Sequence, residues 1–188
     1  MRALGIDCGL RNLGLAVVEV EDSDKTLSAI AARVVVTVPD KTKKHTRTAS
    51  ADLYRYKELH NAITRAIERT KPDVIGIETY VIPGPAVQKV GGNAWKVTAV
   101  YGLAIGIALS HSIPVFPFSP AEAKKLATGK ASASKQHVIE GMQQKIANIT
   151  DIVEAAVPQK SLWEHAYDAS AHAMLALVEA EDLRSFFA

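Results

Sequence analysis

A chain of 188 residues with 48% apolar and 22% charged side chains has the make-up of an ordinary globular protein and is long enough to close one core. Its formal net charge of +2 does not mark a nucleic-acid binder by overall charge, and a single cysteine excludes a disulfide framework or a cysteine-based zinc site. No basic–apolar–small leader opens it, and its longest apolar stretch, "VTAVYGLAIGIALSHSI", is interrupted by Thr98, Tyr101 and His111; a buried helix fits it better than a membrane span, and the cytoplasm is the expected compartment.

Residues 2–8 read as a strand, with Leu4 and Ile6 on one face and Ala3, Gly5 and Asp7 on the other. An Asp is depleted in strands and costly to bury unpaired, so Asp7 needs a partner. "NLG" reads as a turn and "LAVVEV" as the returning strand of a hairpin. Residues 27–38 form a third strand region. A polar loop, 39–50, follows and carries Lys41, Lys43, Lys44, His45 and Arg47. From 51 to 70, Leu53, Tyr56, Leu59, Ile63 and Ile67 recur at helical spacing until Lys71-Pro72 stops the helix.

"DVIGIETYV", 73–81, is nearly all apolar, as in a strand covered on both faces. Residues 82–93 hold Gly and Pro at turn density and predict a loop, with Asn93 capping a buried helix over about 94–111. In "IPVFPFS" Pro117 predicts an edge strand or an early strand end. Ser119, Pro120 and Glu122 make a capping box for a helix that ends at Gly129. Ser132 or Ser134 starts another through "KQHVIEGMQQKI". "SLWE", 161–164, predicts a further capping box and a helix to about Glu179. There is no internal repeat and no linker.

Three strands, a helix and a strand predict an antiparallel trio with the fourth strand returning parallel to the first. Asp7 and Glu78 then end neighbouring strands at one sheet edge, where α/β sites are built. Two adjacent carboxylates repel, and a divalent cation with oxygen ligands removes the conflict. In the last helix His165, Asp168 and His172 lie at i, i+3 and i+7, on one face among small residues. Each acid alone has a plainer reading. Asp7 could bond the backbone of its turn, Glu78 could pair with a lysine, and Asp168 could lie on the outer side of an amphipathic helix. Cys8 reads as a small buried residue, and His45, His60, His111 and His137 as surface or core-edge histidines.

"LGIDCGLRNLGLAVV", "KPDVIGIETYV", "KKLATGKASASKQHV" and "EHAYDASAHAMLAL", in this order over residues 3–178, resemble the RuvC-type Holliday junction resolvases of the ribonuclease H-like superfamily. The resemblance implies a mixed five-stranded sheet flanked by helices, one nuclease domain over 1–188, and a homodimer built on the helix after the Glu78 strand. It implies that Asp7, Glu78 and Asp168 bind metal, with His165 as a fourth group and Glu164 as its rival. Two Mg²⁺ ions per site are implied, with Mn²⁺ as a substitute. Lys124 and Lys135 match basic residues near the scissile strand. Arg11, Lys43, Lys44, Arg47, Tyr80, Lys89, Lys125 and Lys130 are the expected DNA contacts. The implied reaction is paired phosphodiester hydrolysis of branched DNA, leaving 5′-phosphate and 3′-hydroxyl ends.

The chain also departs from that family. Cys8 stands where the family has Pro, and the aromatic Tyr80 comes one place before the family's wedge position, Val81. The loop that follows is long. Such divergence resembles the viral or mobile-element branch. Two alternatives stand beside the resolvase reading: a less selective flap or branched-DNA nuclease of the same fold, and an ATP-binding protein of the actin/sugar-kinase type, which shares the opening hairpin but needs two such domains.

Overall fold

The computed structural model describes residues 1–21, 25–39, 48–79 and 94–187. Strands β1 (Arg2–Asp7), β2 (Asn12–Val20) and β3 (Leu27–Val36) pair antiparallel; β4 (Val74–Glu78) and β5 (Val115–Phe118) run parallel to β1. The sheet order is β3-β2-β1-β4-β5, so β1 and β4 are neighbours, as the chain order predicts. Pro117 sits on the edge strand β5, where its missing N–H faces no further strand.

The helices are α1 (Thr48–Thr70), α2 (Ala94–Ser110), α3 (Pro120–Thr128), α4 (Lys135–Lys145), α5 (Ile149–Ala156) and α6 (Trp163–Phe187). Alternation along the strands divides the apolar residues between two cores. Leu4, Ile6, Ile75 and Ile77 pack against Leu59 and Ile63 of α1 and Val100 and Ala104 of α2. Ala3, Val18 and Val74 pack on the other face against Ala166, Tyr167 and Ala173 of α6, with Ala127, Met142 and Val153 of α3–α5 around them.

Three glycines decide how close α6 can come. A Cβ on Gly14 of β2 would lie 2.1 Å from the His165 carbonyl oxygen, one on Gly5 of β1 1.7 Å from that of Ala169, and one on Gly76 of β4 2.0 Å from that of His172. The helix backbone therefore rests directly on the strands along a diagonal groove. A spacing of four, then three, residues on α6 matches one glycine per strand.

Several expectations need correction. β2 begins at Asn12, not Leu15, because Asn12 and Leu13 pair with Val36 and Val35 of β3 beyond the end of β1. α1 begins at Thr48, and its inner face differs near the start: Leu53 is 66% exposed, whereas Asp52 and Arg55 are buried. That end of the helix passes over polar backbone of the β1–β2 turn, which Arg55 reaches through Thr37. At 161–164 no capping box forms. Residues 160–162 make a single 3-10 turn, and Lys135 engages the Glu164 carboxylate.

Helix α5 has no counterpart in the sequence reading. Its eight residues, ITDIVEAA, set Ile149, Ile152, Val153 and Ala156 at i, i+3, i+4 and i+7, a helical pattern that is short and rich in β-branched residues. The preceding Asn148 ties it to β3, accepting from Ala29 N–H at 2.8 Å and donating to Ala29 O at 2.9 Å. There the β2–β3 register shifts, and Ala29 needs partners outside the ladder. The capping box of α3 at Ser119 and Glu122 and its left-handed Gly129 terminus (φ 79) form as expected. Of the two serines considered for α4, Ser134 is the cap.

Candidate active site

The parallel register Ile6↔Ile77 sets Asp7 and Glu78 side by side at the carboxyl ends of β1 and β4. Both face α6, because Gly5 and Gly76, two residues earlier on each strand, touch that helix. With His165 seated over Gly14, its Nδ1 reaches Asp7 Oδ2 at 2.7 Å and its Nε2 lies 3.0 Å from Asn12 Nδ2. An ionised Asp7 can only accept, so Nδ1 carries the proton and Nε2 accepts from the Asn12 amide. Both ring nitrogens are thus engaged. Asp168 follows one turn later on the same face.

The three carboxyl groups do not titrate alike. Burial opposes ionisation of Asp7, but hydrogen bonds from His165 and from the Glu78 carboxyl outweigh it and hold its pKa below the ordinary value. Burial, the bond to Asp7 and the charges of Asp7 and Asp168 push Glu78 well up. Burial and the nearby Asp7 charge push Asp168 up to about 7. The Asp7 bond raises His165 despite its partial burial. One acid therefore holds the negative charge while the other two retain protons far above their usual range.

Cations frame this group. Lys135, at the start of α4, places Nζ 2.6 Å from Glu164 Oε1, and its own pKa is raised first by that bond. Lys124 of α3 lies close enough to Glu78 to ease its ionisation. Glu164 Oε1 is 3.8 Å from His165 Nε2, so the rival acid stands at the rim of the site, paired to lysine. Cys8 is buried behind it, its thiol pushed up by burial and then by Asp7 and Glu78, which makes it inert.

Among the described residues, no three His, Cys, Asp or Glu side chains already surround one point as a finished metal cage. The donor set nevertheless suits hard divalent cations: three carboxyls, two of them kept protonated by crowding and burial. Cation binding must then expel protons. Since the raised carboxyl of Asp168 ionises near 7, affinity for a divalent cation is expected to rise as pH rises through 7, by at least about tenfold from pH 6 to 8. Calorimetry in buffers of different ionisation heat checks this, with proton release as the signature; pH-independent affinity would contradict the raised values.

His172, the third residue of the α6 face, does not join the site. It is buried beneath the helix against Gly76, and burial lowers its pKa to about 4. Arg11 is exposed in the β1–β2 turn, Lys125 on α3 and Lys130 after it. Lys43, Lys44, Arg47, Tyr80 and Lys89 lie outside the described residues, as do Asn93 and the 82–93 loop. His60, His111 and His137 are exposed. Sequence reasoning missed Asn12: its place after a glycine turn reads as a turn preference, and nothing in the sequence announces a bond to position 165.

A family model described as crossover junction endodeoxyribonuclease RuvC matches residues 3–173. Among curated proteins, a crossover junction endodeoxyribonuclease RuvC of Ruegeria pomeroyi is 31% identical over 93% of this chain and 96% of its own length. Among solved structures, Thermus thermophilus RuvC in complex with a Holliday junction substrate superposes with a TM-score of 0.69 at 24% identity, over 92% of this chain and 90% of that one. The yeast mitochondrial Holliday junction resolvase gives 0.61 at 15% identity, over 91% and 75%. At these identities the superpositions speak for a shared ribonuclease H-like fold.

Proposed function

The chain belongs to the RuvC family of crossover junction endodeoxyribonucleases, and from that premise we propose that it is a divalent-cation-dependent nuclease resolving four-way DNA junctions. The single observation that supports this most is the placing of Asp7 and Glu78 on neighbouring strand ends, with His165 bonded to Asp7 and Asp168 one turn further on, close enough to feel the Asp7 charge. An ATP-binding reading explains neither the third acid nor its flanking lysines.

In this reading residues 1–188 act as one nuclease domain, and Asp7, Glu78 and Asp168 would hold two Mg²⁺ ions, with Mn²⁺ as a substitute. Bound there, such ions would favour ionisation of a water and neutralise charge at the scissile phosphate. His165, fixed by Asp7 and Asn12, is placed to orient the attacking water, and breaking its bond to Asn12 would free Nε2 to take a proton or a ligand role. Lys135, pre-positioned by Glu164, and Lys124 stabilise negative charge as it develops on the phosphate. The products are a 5′-phosphate and a 3′-hydroxyl. A cleavage panel of four-way, three-way and flap DNA with and without Mg²⁺ tests the proposal: preferential, paired cuts in the four-way junction are expected, and equal cutting of flaps would replace it with the less selective nuclease.

Paired cuts need two sites, and α2 offers the contact. Trp95, Gly102, Gly106 and Leu109 fall on one helical face, all exposed, with Trp95 at 53% and Leu109 at 65%. A Cβ on Gly102 or Gly106 meets nothing within 4 Å, so neither glycine is required by the packing of the single chain. Glycine costs a helix interior about 0.8–1 kcal/mol against alanine, and close approach of a second copy explains its retention. Gly102→Glu is expected to fold at least as stably yet to run near the 20.2 kDa chain mass by light scattering, against about twice that for the parent. A monomeric parent would remove the paired-cut reading.

A further inference from the structure

The β1–β2 turn and the first turn of α2 border a notch of about 350 Å³ beside the candidate active site, lined among others by Arg11, Asn12, Arg55, Lys96, Val97 and His165. Its charge is lopsided. Behind the wall lies Asp52, buried, with Arg55 Nη1 3.0 Å from Oδ1 and Lys96 Nζ 3.0 Å from Oδ2. Burial works against its ionisation, but the bonds from Lys96 and Arg55 outweigh it and hold its pKa below the ordinary value. One buried carboxylate therefore faces Arg55 and Lys96, while the exposed Arg11 adds a third cation to the lining. The described acid of this cluster is not part of the lining, so the cavity meets the cations.

The cations are also held in place. Arg55 Nε donates to Thr37 Oγ1 at 2.9 Å, and Thr37 in turn donates its hydroxyl to Leu10 O and its N–H to Arg11 O, locking the turn. Lys96 stands in the first turn of α2, where the helix dipole adds positive potential. The notch shares a wall with the carboxylates: Asn12 and His165 line it, and the same His165 bonds Asp7. A strut joining α1 and α2 to the turn would account for the bonds of Asp52 to Arg55 and Lys96. It would not account for the exposed Arg11 on the same lining, nor for three cations backed by one carboxylate around a cavity next to the reactive acids.

We propose that this notch holds a backbone phosphodiester of the cleaved strand, adjacent to the one presented to Asp7, Glu78 and Asp168. The inference rests on the nucleic-acid reading of that site. Arg11 and Lys96 bind the phosphate directly, and Arg55, kept rigid by Asp52 and Thr37, supplies fixed charge behind them. Occupancy fixes the strand's register, so that the next phosphate arrives over the carboxylates.

The test measures binding of a four-way junction by the full chain, without divalent cation, over a salt series. The variants are Lys96→Gln and the double variant Asp52→Asn/Lys96→Gln, which removes one charge of each sign. If Lys96 contacts phosphate, both bind about tenfold more weakly, and the salt dependence falls by about one counterion. If Lys96 serves only as partner to Asp52, the double variant binds like the parent, and the proposal is overturned. In a second arm, single neutral methylphosphonates are walked along the strand around the cut. One position should weaken parent binding and leave the double variant unaffected; no such position would also overturn the proposal. A parent chain that binds the junction and passes neither arm keeps its proposed function and loses this subsite, whereas one that binds no DNA loses both.

Discussion

Asp7→Asn is expected to abolish cation-dependent junction cleavage, by about 10³-fold or more, while junction binding survives. Asp7 is the ionised member of the carboxyl group: His165 and the Glu78 carboxyl both donate to it. The amide is nearly isosteric and its oxygen can still accept from His165 Nδ1, so the local packing stays. What disappears is the one full negative charge fixed between two protonated acids, and with it most of the attraction for divalent cations. Loss of several kcal/mol of transition-state stabilisation corresponds to at least that rate factor. With the charge gone, Glu78 loses both its bond to Asp7 and the repulsion that raise it, and its pKa should fall toward the ordinary range. Loss of the favourable Asp7 charge is offset by relief of Glu78 and Asp168, so the thermal midpoint is expected to stay close to the parent's. Rate assays beside a melting curve decide the matter, and undiminished turnover would take Asp7 out of the mechanism.

Gly5→Ala is expected to be the most damaging glycine-to-alanine change among the described residues. Its Cβ would sit 1.7 Å from the Ala169 carbonyl oxygen and within 3 Å of the Ala173 nitrogen, both backbone atoms of α6. A flexible side chain could swing away, but a helix backbone cannot. Relief requires α6 to lift from the sheet along its length. That separates His165 and Asp168 from Asp7 and loosens the packing of Ala166, Tyr167 and Ala173 together. An overpacking cost of about 3 kcal/mol follows, or about 10 °C in the thermal midpoint for a chain of this size. Activity should fall further than stability does, because the site depends on the same contact. Gly102→Ala, melted at a dilution where the chain is monomeric, is the control: its Cβ meets nothing within 4 Å of the single chain, and it should melt no lower than the parent. Equal melting of both variants would disprove the groove as the element that seats α6.

Much of this could be read from residues alone, and the reasons are local. Period-two alternation places Asp7 with Ala3 and Gly5, opposite Leu4 and Ile6, and the two cores divide on that line. The chain order of strands and helix makes β1 and β4 neighbours, which brings Asp7 to Glu78. Ser119, Glu122 and Gly129 mark their helix through capping chemistry that acts within one turn. Short-range patterns failed where the partner is distant. Leu53 continues an apolar helical pattern, yet Asp52 and Arg55 take the inner positions because Thr37 and Lys96 wait there. Ser161 and Glu164 have the spacing of a cap, yet Lys135, 29 residues upstream, claims the carboxylate.

Sequence by itself therefore determined the strand and helix order, the pair of carboxylates at one sheet edge and a third acid on the last helix, since periodicity and connectivity suffice for these. Tertiary structure alone decided that Gly14, Gly5 and Gly76 line up into a seat for α6, that Asn12 and Asp7 clamp His165 between them, and that Arg55 and Lys96 meet over Asp52. Those arrangements depend on contact distances between backbones and on which buried charge finds a counter-charge, and neither quantity is carried by the spacing of residues along one chain.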